Sequence, residues 1–310
     1  MANYLVTGGA GFIGHHLVGR LVEEGHAVRV LDNFSTGKRE NLAVVPGEIE
    51  LIEGDFRDAD VCRSACRDIE VVFHIGAMPS VPKSIEDPKT CHDCNVNGTF
   101  NILLAASECK CRRLIYAASS SAYGDVEVSP KVETLRPEPK SPYAVQKLTG
   151  EAYCRVFYEC FGLETLSIRY FNVFGPRQDP ASQYAAAIPA FITAILNDRP
   201  PMIYGDGEQT RDFTYIDNVL GVNVLAAGAE RVSGEVVNAA CGLSISLNHI
   251  IEKINRILGK NIAPHYADER PGDVRHSLAD NSLAKELIGY EPLVDFDEGL
   301  RRTIRYYESS

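Results

Sequence analysis

Apolar and polar positions change their period several times along the first half of the chain. Short runs rich in β-branched residues, which are typical of buried strands, lie at 4–6, 27–31, 50–52, 71–74, 113–117 and 166–169. Between them, positions 12–24, 96–107 and 142–161 repeat their apolar residues with the period of a helix. Because strands that alternate with helices pair in parallel through right-handed crossovers, the pattern predicts an α/β protein with a doubly wound parallel sheet.

The character of the sequence changes after position 172. Pro and Gly become frequent, and helical stretches alternate with loops rather than with strands. A chain of 310 residues suits one large domain or two coupled ones. We therefore expect a first domain over 1–172 and a smaller C-terminal domain over 173–310. The β-branched run at 236–238 predicts a strand that returns to the sheet of the first domain.

Composition and charge exclude several classes of function. The formal net charge is −11, so the chain as a whole repels nucleic acid and anionic membranes. No stretch is long and apolar enough to span a membrane, and a glycine cluster begins at Gly8, where a signal peptide needs its apolar core. The nine cysteines, an odd number, are typical of free thiols in a reducing compartment. We expect a cytoplasmic protein without nucleic-acid or membrane partners.

Cys91 and Cys94 have the spacing of half a zinc site, but no second pair of cysteines follows at a suitable distance. No metal is therefore expected.

A glycine-rich loop follows the first predicted strand and opens the first predicted helix. The segment at 7–14, TGGAGFIG, fits both GxGxxG and GxxGxxG, the second through Gly8, Gly11 and Gly14. Such glycines allow a tight turn and bring the N–H groups at the helix start close to a pyrophosphate. Asp32 lies 18 residues after Gly14, where a carboxylate accepts the ribose hydroxyls of NAD and repels the 2′-phosphate of NADP. Together they predict NAD as the cofactor of a Rossmann-type domain.

A tyrosine and a lysine that are suited to proton transfer lie on the helix predicted at 142–161. Tyr143 and Lys147 are four residues apart, so they share one face of a helix, and Ser141 fits the N-cap. A nearby ammonium is expected to lower the pKa of the phenol toward the working range. Ser119 and Ser120 follow the fifth predicted strand, at the sheet edge where ligands bind, and one of them is expected to bond the reacting oxygen.

These motifs occur in the order of a known family. The chain resembles the extended short-chain dehydrogenases/reductases, which include nucleotide-sugar epimerases and dehydratases. The resemblance covers nearly the whole chain and extends to the segments at 95–98, 169–175, 205–207, 211–213 and 270–273. It implies that NAD is contacted by Gly8, Gly11, Phe12, Ile13, Gly14, Asp32, Asn33, Ser35, Gly37, Asp55, Phe56, Ile75, Gly76, Ala77, Asn95, Tyr143, Lys147 and Tyr170. For Asp55, a turn or helix-capping role is an open alternative.

The resemblance also implies the reaction. Dehydratases of this family carry Thr-Asp-Glu where this chain has three serines at 119–121, so elimination of water lacks its acid and base. What remains is 4-epimerisation through a 4-keto sugar: Tyr143 takes the proton of the 4-hydroxyl, and NAD takes the hydride from C4 and returns it to the other face. Lys147 tunes the tyrosine, and Ser119 or Ser120 bridges to the sugar oxygen.

The resemblance further indicates a UDP-sugar substrate and a homodimer. The implied substrate contacts are Ser119, Tyr143, Asn172, Ala187, Ile188, Tyr204, Arg211, Arg270, Asp273 and Ser277. Arginine suits the diphosphate because its fork of donors matches phosphate oxygens. Surface salt bridges are the alternative for Arg211 and Arg270.

Ser277 resembles the gate residue that decides which sugars epimerases of this family accept. Where a large tyrosine occupies that position, N-acetylated sugars are accepted poorly. The small serine predicts interconversion of UDP-N-acetylglucosamine and UDP-N-acetylgalactosamine, with UDP-glucose as a second substrate. Four alternatives stay open: a UDP-glucose 4-epimerase, a UDP-uronate 4-epimerase, a nucleotide-sugar reductase, and a non-catalytic NAD(H) sensor. A sensor typically loses the Tyr/Lys pair, which this chain keeps.

Overall fold

The computed structural model describes residues 2–180, 187–269 and 275–309. In this part of the chain the strands are β1 (Asn3–Thr7), β2 (Ala27–Asp32), β3 (Glu50–Glu53), β4 (Val71–His74), β5 (Arg113–Ser119), β6 (Glu164–Tyr170), β7 (Val173–Phe174), β8 (Met202–Tyr204), β9 (Thr210–Asp212), β10 (Thr214–Tyr215), β11 (Glu235–Ala239), β12 (Ser244–Ser246) and β13 (His265–Ala267). The α-helices are α1 (Phe12–Glu23), α2 (Arg39–Leu42), α3 (Ala59–Cys66), α4 (Val81–Glu86), α5 (Pro88–His92), α6 (Thr99–Glu108), α7 (Pro142–Phe161), α8 (Ala187–Leu196), α9 (Ile216–Gly228), α10 (Leu247–Leu258), α11 (Ser282–Ile288) and α12 (Phe296–Glu308).

Among the described residues, seven strands form one parallel sheet. Their order is β11-β6-β5-β4-β1-β2-β3, so the direction of winding reverses between β1 and β4. All the pairs in this sheet are parallel. The prediction of a Rossmann-type doubly wound sheet is confirmed. In such a sheet, ligands bind beyond the carboxyl ends of the strands at the point of reversal.

Both faces of the sheet are buried, and the side chains of its strands point alternately into two hydrophobic cores. On β1, Val6 faces one core and Leu5 faces the other. On β2, Val30 and Leu31 divide in the same way. This burial on both faces explains why the strands read as continuous apolar runs in the sequence.

The residues after 172 build short strand pairs beside the large sheet. The pairs β7–β10 and β8–β13 are parallel, and β9–β12 is antiparallel. The ring of Phe174 lies 5.6 Å from the ring of Tyr215 and 5.5 Å from that of Phe296, which packs this region around β7, β10 and α12. Strand β11 instead lies at the edge of the large sheet, next to β6.

Two elements extend beyond the sequence pattern. Strand β5 runs to Ser119 rather than ending at 117, because Ala118 and Ser119 pair with Arg169 and Tyr170 of β6. The helix predicted at 96–107 begins with a π-helical turn at Asp93–Gly98 before α6. No helix in the described residues is both long and apolar enough to cross a membrane.

Candidate active site

The glycine loop is shaped by close approaches that only glycine permits. Gly8 has a φ of 68°, and a Cβ atom at this position would lie 2.6 Å from the Cα atom of Gly76. A Cβ atom on Gly14 would overlap the carbonyl oxygen of Gly8. Helix α1 starts directly after Gly11, which has no side chain to cap it. The N–H groups of the first helical turn are therefore left for an anion such as a pyrophosphate.

The carboxylate of Asp32 joins this loop to the turn after β2. Its two oxygens accept hydrogen bonds from the backbone N–H of Ala10, at 2.9 Å, and of Phe34, at 2.8 Å. A carboxylate has about four acceptor positions, so both oxygens keep capacity for the hydroxyls of a ribose. A Cβ atom on Gly37 would lie 3.0 Å from Asp32 Oδ2, so this glycine keeps the carboxylate open.

Asn33 and Asp55 come together because they follow adjacent strands. Asn33 Nδ2 donates to Asp55 Oδ2 at 2.7 Å, and Asn33 Oδ1 accepts from the backbone N–H of Ser35. The guanidinium of Arg57 lies 2.7 Å from the Asp55 carboxylate and lowers the pKa of Asp55 to about 2. Asp55 is thus ionised, and Arg57 already balances its negative charge. The sequence did not reveal this ion pair.

The other predicted cofactor residues follow β3 and β4 or begin α1. The backbone N–H of Gly76 bonds Thr7 Oγ1 at 3.1 Å, and Phe56 packs edge-on to His74 at a ring distance of 5.4 Å. Ile75 and Ala77 flank Gly76 and are half-buried, and Phe12 and Ile13 begin α1.

The side chains of Asn95 and Tyr170 are engaged by the protein itself. The Asn95 amide accepts from the backbone N–H of Met78 at 2.8 Å and donates to Gln146 Oε1 at 2.8 Å. The Tyr170 hydroxyl donates to Asn223 Oδ1 at 3.0 Å. Both side chains are therefore held in place by the protein, and their contact with NAD stays a prediction. Gln146 and Asn223 are partners that the sequence did not identify.

Tyr143 and Lys147 lie one turn apart at the start of α7. Ser141 caps this helix through the backbone N–H of Ala144, and Pro142 occupies its first turn. Lys147 is 3% exposed, and its Nζ atom donates to the carbonyl oxygen of Ala117 on β5 at 2.7 Å. The Ser119 hydroxyl hydrogen-bonds Tyr143 and also bonds Ser121 Oγ at 2.9 Å. Of the two predicted serines, the structure thus brings Ser119 to the tyrosine, whereas Ser120 begins the following 3₁₀ turn.

The electrostatics of this pair differ from the sequence expectation. Burial raises the pKa of Tyr143 to about 12, against the opposing effect of the Ser119 hydrogen bond. Burial also lowers the pKa of Lys147 to about 8. The expected lowering of the tyrosine pKa is therefore wrong for the protein alone, because loss of water around the phenol outweighs the Ser119 hydrogen bond.

Three predicted substrate residues converge on β9. Asn172 Nδ2 donates to the carbonyl oxygen of Asp212 at 2.9 Å. Arg211 lies on β9 and donates to the carbonyl oxygens of Thr210 and Arg275, at 2.9 and 3.2 Å. The backbone N–H of Ser277 bonds the Thr210 carbonyl oxygen at 3.1 Å, and Ser277 is 9% exposed.

The remaining substrate predictions have different outcomes. Tyr204 ends β8 and is half-buried, and Ala187 begins α8. Ile188 is fully buried in the core, and its contact with substrate stays a prediction. Arg270 and Asp273 lie outside the described residues. In the part of the chain that is described, no group of His, Cys, Asp and Glu side chains is arranged for a metal ion.

Comparison with known proteins assigns the family. The model of the NAD-dependent epimerase/dehydratase family matches residues 4–240. The chain belongs to this family. The resemblance seen in the sequence is thereby confirmed, as is NAD as the cofactor of this enzyme.

Three solved structures are similar to the enzyme over 99% of its chain. A UDP-N-acetylglucosamine 4-epimerase from Methanobrevibacter ruminantium, in complex with UDP-N-acetylmuramic acid, is 42% identical with a TM-score of 0.95, over 98% of that chain. A UDP-glucose 4-epimerase from Thermotoga maritima, with UDP-glucose, is 37% identical with a TM-score of 0.94, over 99% of that chain. A UDP-glucuronic acid 4-epimerase from Bacillus cereus, with UDP-glucuronic acid and NAD, is 34% identical with a TM-score of 0.92, over 99% of that chain.

The residues of this family member fit NAD. A Cβ atom on Gly8 or Gly14 would collide with the backbone of Gly76 or of Gly8, so the tight loop that leaves N–H groups free at the start of α1 requires glycine at both positions. Asp32 offers free acceptor positions at the end of β2, and it is 7% exposed, so it can bond ribose hydroxyls away from bulk water. The charge of Asp32 also disfavours the extra phosphate of NADP.

Proposed function

We propose that this enzyme is a UDP-sugar 4-epimerase that interconverts UDP-N-acetylglucosamine and UDP-N-acetylgalactosamine, with UDP-glucose as a second substrate. The observation that carries the sugar assignment is Ser277, a small and buried side chain held beside Arg211 on β9. A small residue there leaves room for a 2-acetamido group. The 42% identical structure, described as a UDP-N-acetylglucosamine 4-epimerase, supports this assignment.

In this proposal the two parts of the chain hold different ligands. Residues 1–172 hold NAD through the glycine loop, Asp32 and Lys147. Residues 173–310 hold the UDP-sugar, with Arg211 and Arg270 on the diphosphate, Asp273 on the ribose and Ser277 beside the sugar. NAD, when bound, supplies the group that oxidises and then reduces the C4 carbon of the sugar.

The chain's own residues handle the proton of the 4-hydroxyl. Tyr143 takes this proton at its phenolic oxygen and later returns it, and Ser119 bonds the same sugar oxygen. The phenol must ionise first, and its pKa of about 12 in the protein alone makes positive charge near the ring necessary. Lys147 provides such a charge, since the Ala117 carbonyl fixes its ammonium close to α7 and β5.

The alternative functions differ from the proposed one in the sugar that is bound or in the reaction that is catalysed. UDP-glucose and UDP-glucuronic acid 4-epimerases are similar to this chain at 37% and 34% identity, so both sugars are included in the test. A reductase is less well supported, because the three structures described above, at 34% to 42% identity, are 4-epimerases. A non-catalytic sensor is disfavoured because Ser119, Tyr143 and Lys147 are brought together.

The direct test is epimerisation of UDP-N-acetylglucosamine, UDP-glucose and UDP-glucuronic acid, each followed by NMR of the anomeric signals. We expect conversion of UDP-N-acetylglucosamine at a rate equal to or above that of UDP-glucose. Turnover of UDP-glucose or UDP-glucuronic acid alone would contradict the sugar assignment and keep the 4-epimerase. NAD binding without turnover of any of the three would contradict the epimerase itself.

The role of Ser277 is tested by Ser277→Tyr. The added ring occupies the space proposed for the acetamido group, so kcat/KM for UDP-N-acetylglucosamine should fall about tenfold or more while UDP-glucose turnover is largely kept. Ser244→Tyr is the matched control, because this substitution adds the same bulk at an exposed position of β12, the strand paired with β9. Equal losses for both sugars would show that Ser277 is not a gate.

We also propose that the enzyme is a homodimer that pairs through α6 and α7. On α7, Val145 and Val156 share one face of the helix and are 49% and 44% exposed, and Phe100 of α6 packs against the α7 rings Tyr153 and Phe157. Val156→Asp should convert the dimer to a monomer in light scattering. Leu293→Asp, at a position 78% exposed elsewhere, should leave the dimer intact. A monomeric wild-type protein would contradict this proposal.

A further inference from the structure

Asp212 is a buried carboxylate with no assigned role in cofactor binding or catalysis. It ends β9, directly after Arg211, and it is fully buried. One oxygen accepts a hydrogen bond from the backbone N–H of Cys241 at 3.0 Å. The other accepts from the N–H groups of Gly242, at 3.0 Å, and Ala279, at 3.1 Å. One side chain thus ties β9 to two separate loops.

Both loops are connected to residues proposed to bind the UDP-sugar. Ala279 is two residues beyond Ser277, and the segment that holds them is also attached to β9 through Thr210. The turn at 241–242 leads into β12, which pairs with β9 opposite Arg211. The carbonyl oxygen of Asp212 accepts from the amide of Asn172. Asn172, Arg211 and Ser277 therefore share Asp212 as a common point of attachment.

We propose that Asp212 is a positioning residue for the UDP-sugar, which fixes Arg211 and Ser277 relative to each other without touching the ligand. This inference rests on the proposed function. Because successive side chains of a strand point to opposite faces, the Asp212 carboxylate and the Arg211 side chain leave β9 on opposite faces. Arg211 also bonds the carbonyl oxygen of Arg275, at the start of the segment that holds Ser277. Because Asp212 already orders both loops, the binding of the UDP-sugar loses less free energy to ordering them.

The direction in which the UDP-sugar affinity changes when Asp212 is replaced distinguishes a positioning role from a simple effect of its charge. A carboxylate repels an anionic diphosphate, so removing its charge without moving the loops should strengthen UDP-sugar binding. In Asp212→Asn one oxygen remains as an acceptor, while the NH2 group places N–H donors against backbone N–H donors. At least one of the three hydrogen bonds is therefore lost and replaced by a contact between donors, which displaces the loop concerned. Positioning therefore predicts weaker binding, in the direction opposite to the charge effect.

The test is steady-state kinetics of Asp212→Asn with a UDP-sugar that the wild type turns over. We expect KM to rise about ten- to a hundredfold, with kcat within a few fold of wild type and the NAD content unchanged. Asn281→Ala is the matched control. Asn281 also joins these loops, through hydrogen bonds to both the N–H and the carbonyl oxygen of Ala240, which lies after β11 rather than on β9. Its KM should stay within about threefold.

The outcomes decide the proposal in each case. An unchanged or lower KM in Asp212→Asn overturns the proposal. An equal rise of KM in Asn281→Ala also overturns it, as does a loss of bound NAD together with the weaker substrate binding. If Asp212→Asn does not fold, Asp212→Ser replaces it, since a hydroxyl oxygen keeps an acceptor for one N–H group. If the wild type turns over no UDP-sugar, the proposed function fails. Calorimetric binding of UDP to wild type and variants then still tests Asp212.

Discussion

The two halves of the site are assembled by different structural means. The catalytic cluster of Ser119, Tyr143 and Lys147 lies on one long helix and one strand of the parallel sheet. The substrate cluster of Asn172, Arg211 and Ser277 lies on short segments and strands of two or three residues. Regular elements fix the first cluster, whereas hydrogen bonds between loops fix the second.

This contrast teaches where each kind of substitution should act. Side chains of the catalytic cluster are held by the backbone of α7 and β5, as in the bond from Lys147 to the Ala117 carbonyl, so replacing one leaves the others in place. The substrate cluster depends on Asp212, so a change there moves several groups at once. We therefore expect changes in the catalytic cluster to lower kcat, and changes at Asp212 to raise KM.

The largest effect is expected for Tyr143→Phe. The variant lacks the phenolic oxygen that takes the proton, so kcat should fall about a thousandfold or more. NAD content, measured by absorbance after release, should be unchanged because the ring remains. Tyr153→Phe on the same helix is the control and should retain activity. Near-normal turnover by Tyr143→Phe would assign the proton transfer to another group.

A smaller effect separates the two serines. Ser119→Ala removes the hydroxyl bonded to Tyr143, and the loss of one hydrogen bond to a group that becomes charged should lower kcat about ten- to a hundredfold. Ser120→Ala should stay within about threefold, because the structure brings Ser119 rather than Ser120 to the tyrosine. The comparison is made at saturating UDP-sugar. A greater loss in Ser120→Ala would reverse the assignment.

The same contrast explains what the sequence could predict. The spacing of Tyr143 and Lys147 predicts their proximity because a helix repeats every 3.6 residues, and Asp32 is placed by the end of its strand. The three backbone partners of the Asp212 carboxylate are 29, 30 and 67 residues later in the chain, and no local pattern indicates which backbone N–H groups a buried carboxylate meets. The complete burial of Ile188 could not be predicted for a similar reason, since the tertiary packing of α8 decides which of its apolar residues are buried.

The smallest expected effect concerns stability and pH, and it has opposite signs in the two regions. His74 lies within the large sheet between Thr7 Oγ1, at 2.8 Å, and Thr99 Oγ1, at 3.0 Å. Complete burial lowers its pKa to about 3, so between that value and about 6.5 the unfolded chain binds more protons and stability rises with pH. Burial raises the pKa of Asp212 to about 6, so between about 3.8 and 6 the folded chain binds more protons and its contribution falls as pH rises.

These opposite slopes can be measured with neutral replacements in urea unfolding. From about pH 5.5 to about pH 6.5, the stability of the wild type relative to His74→Gln should increase by about 1 kcal/mol, because the variant lacks the histidine titration. Relative to Asp212→Asn, the wild type should lose stability over the same interval, since the buried carboxyl ionises there. Other titrating groups are common to each pair of proteins and cancel in the difference. A flat difference for His74→Gln would mean that the buried ring takes up its proton in the folded protein, and equal signs for both variants would remove the contrast between the two regions.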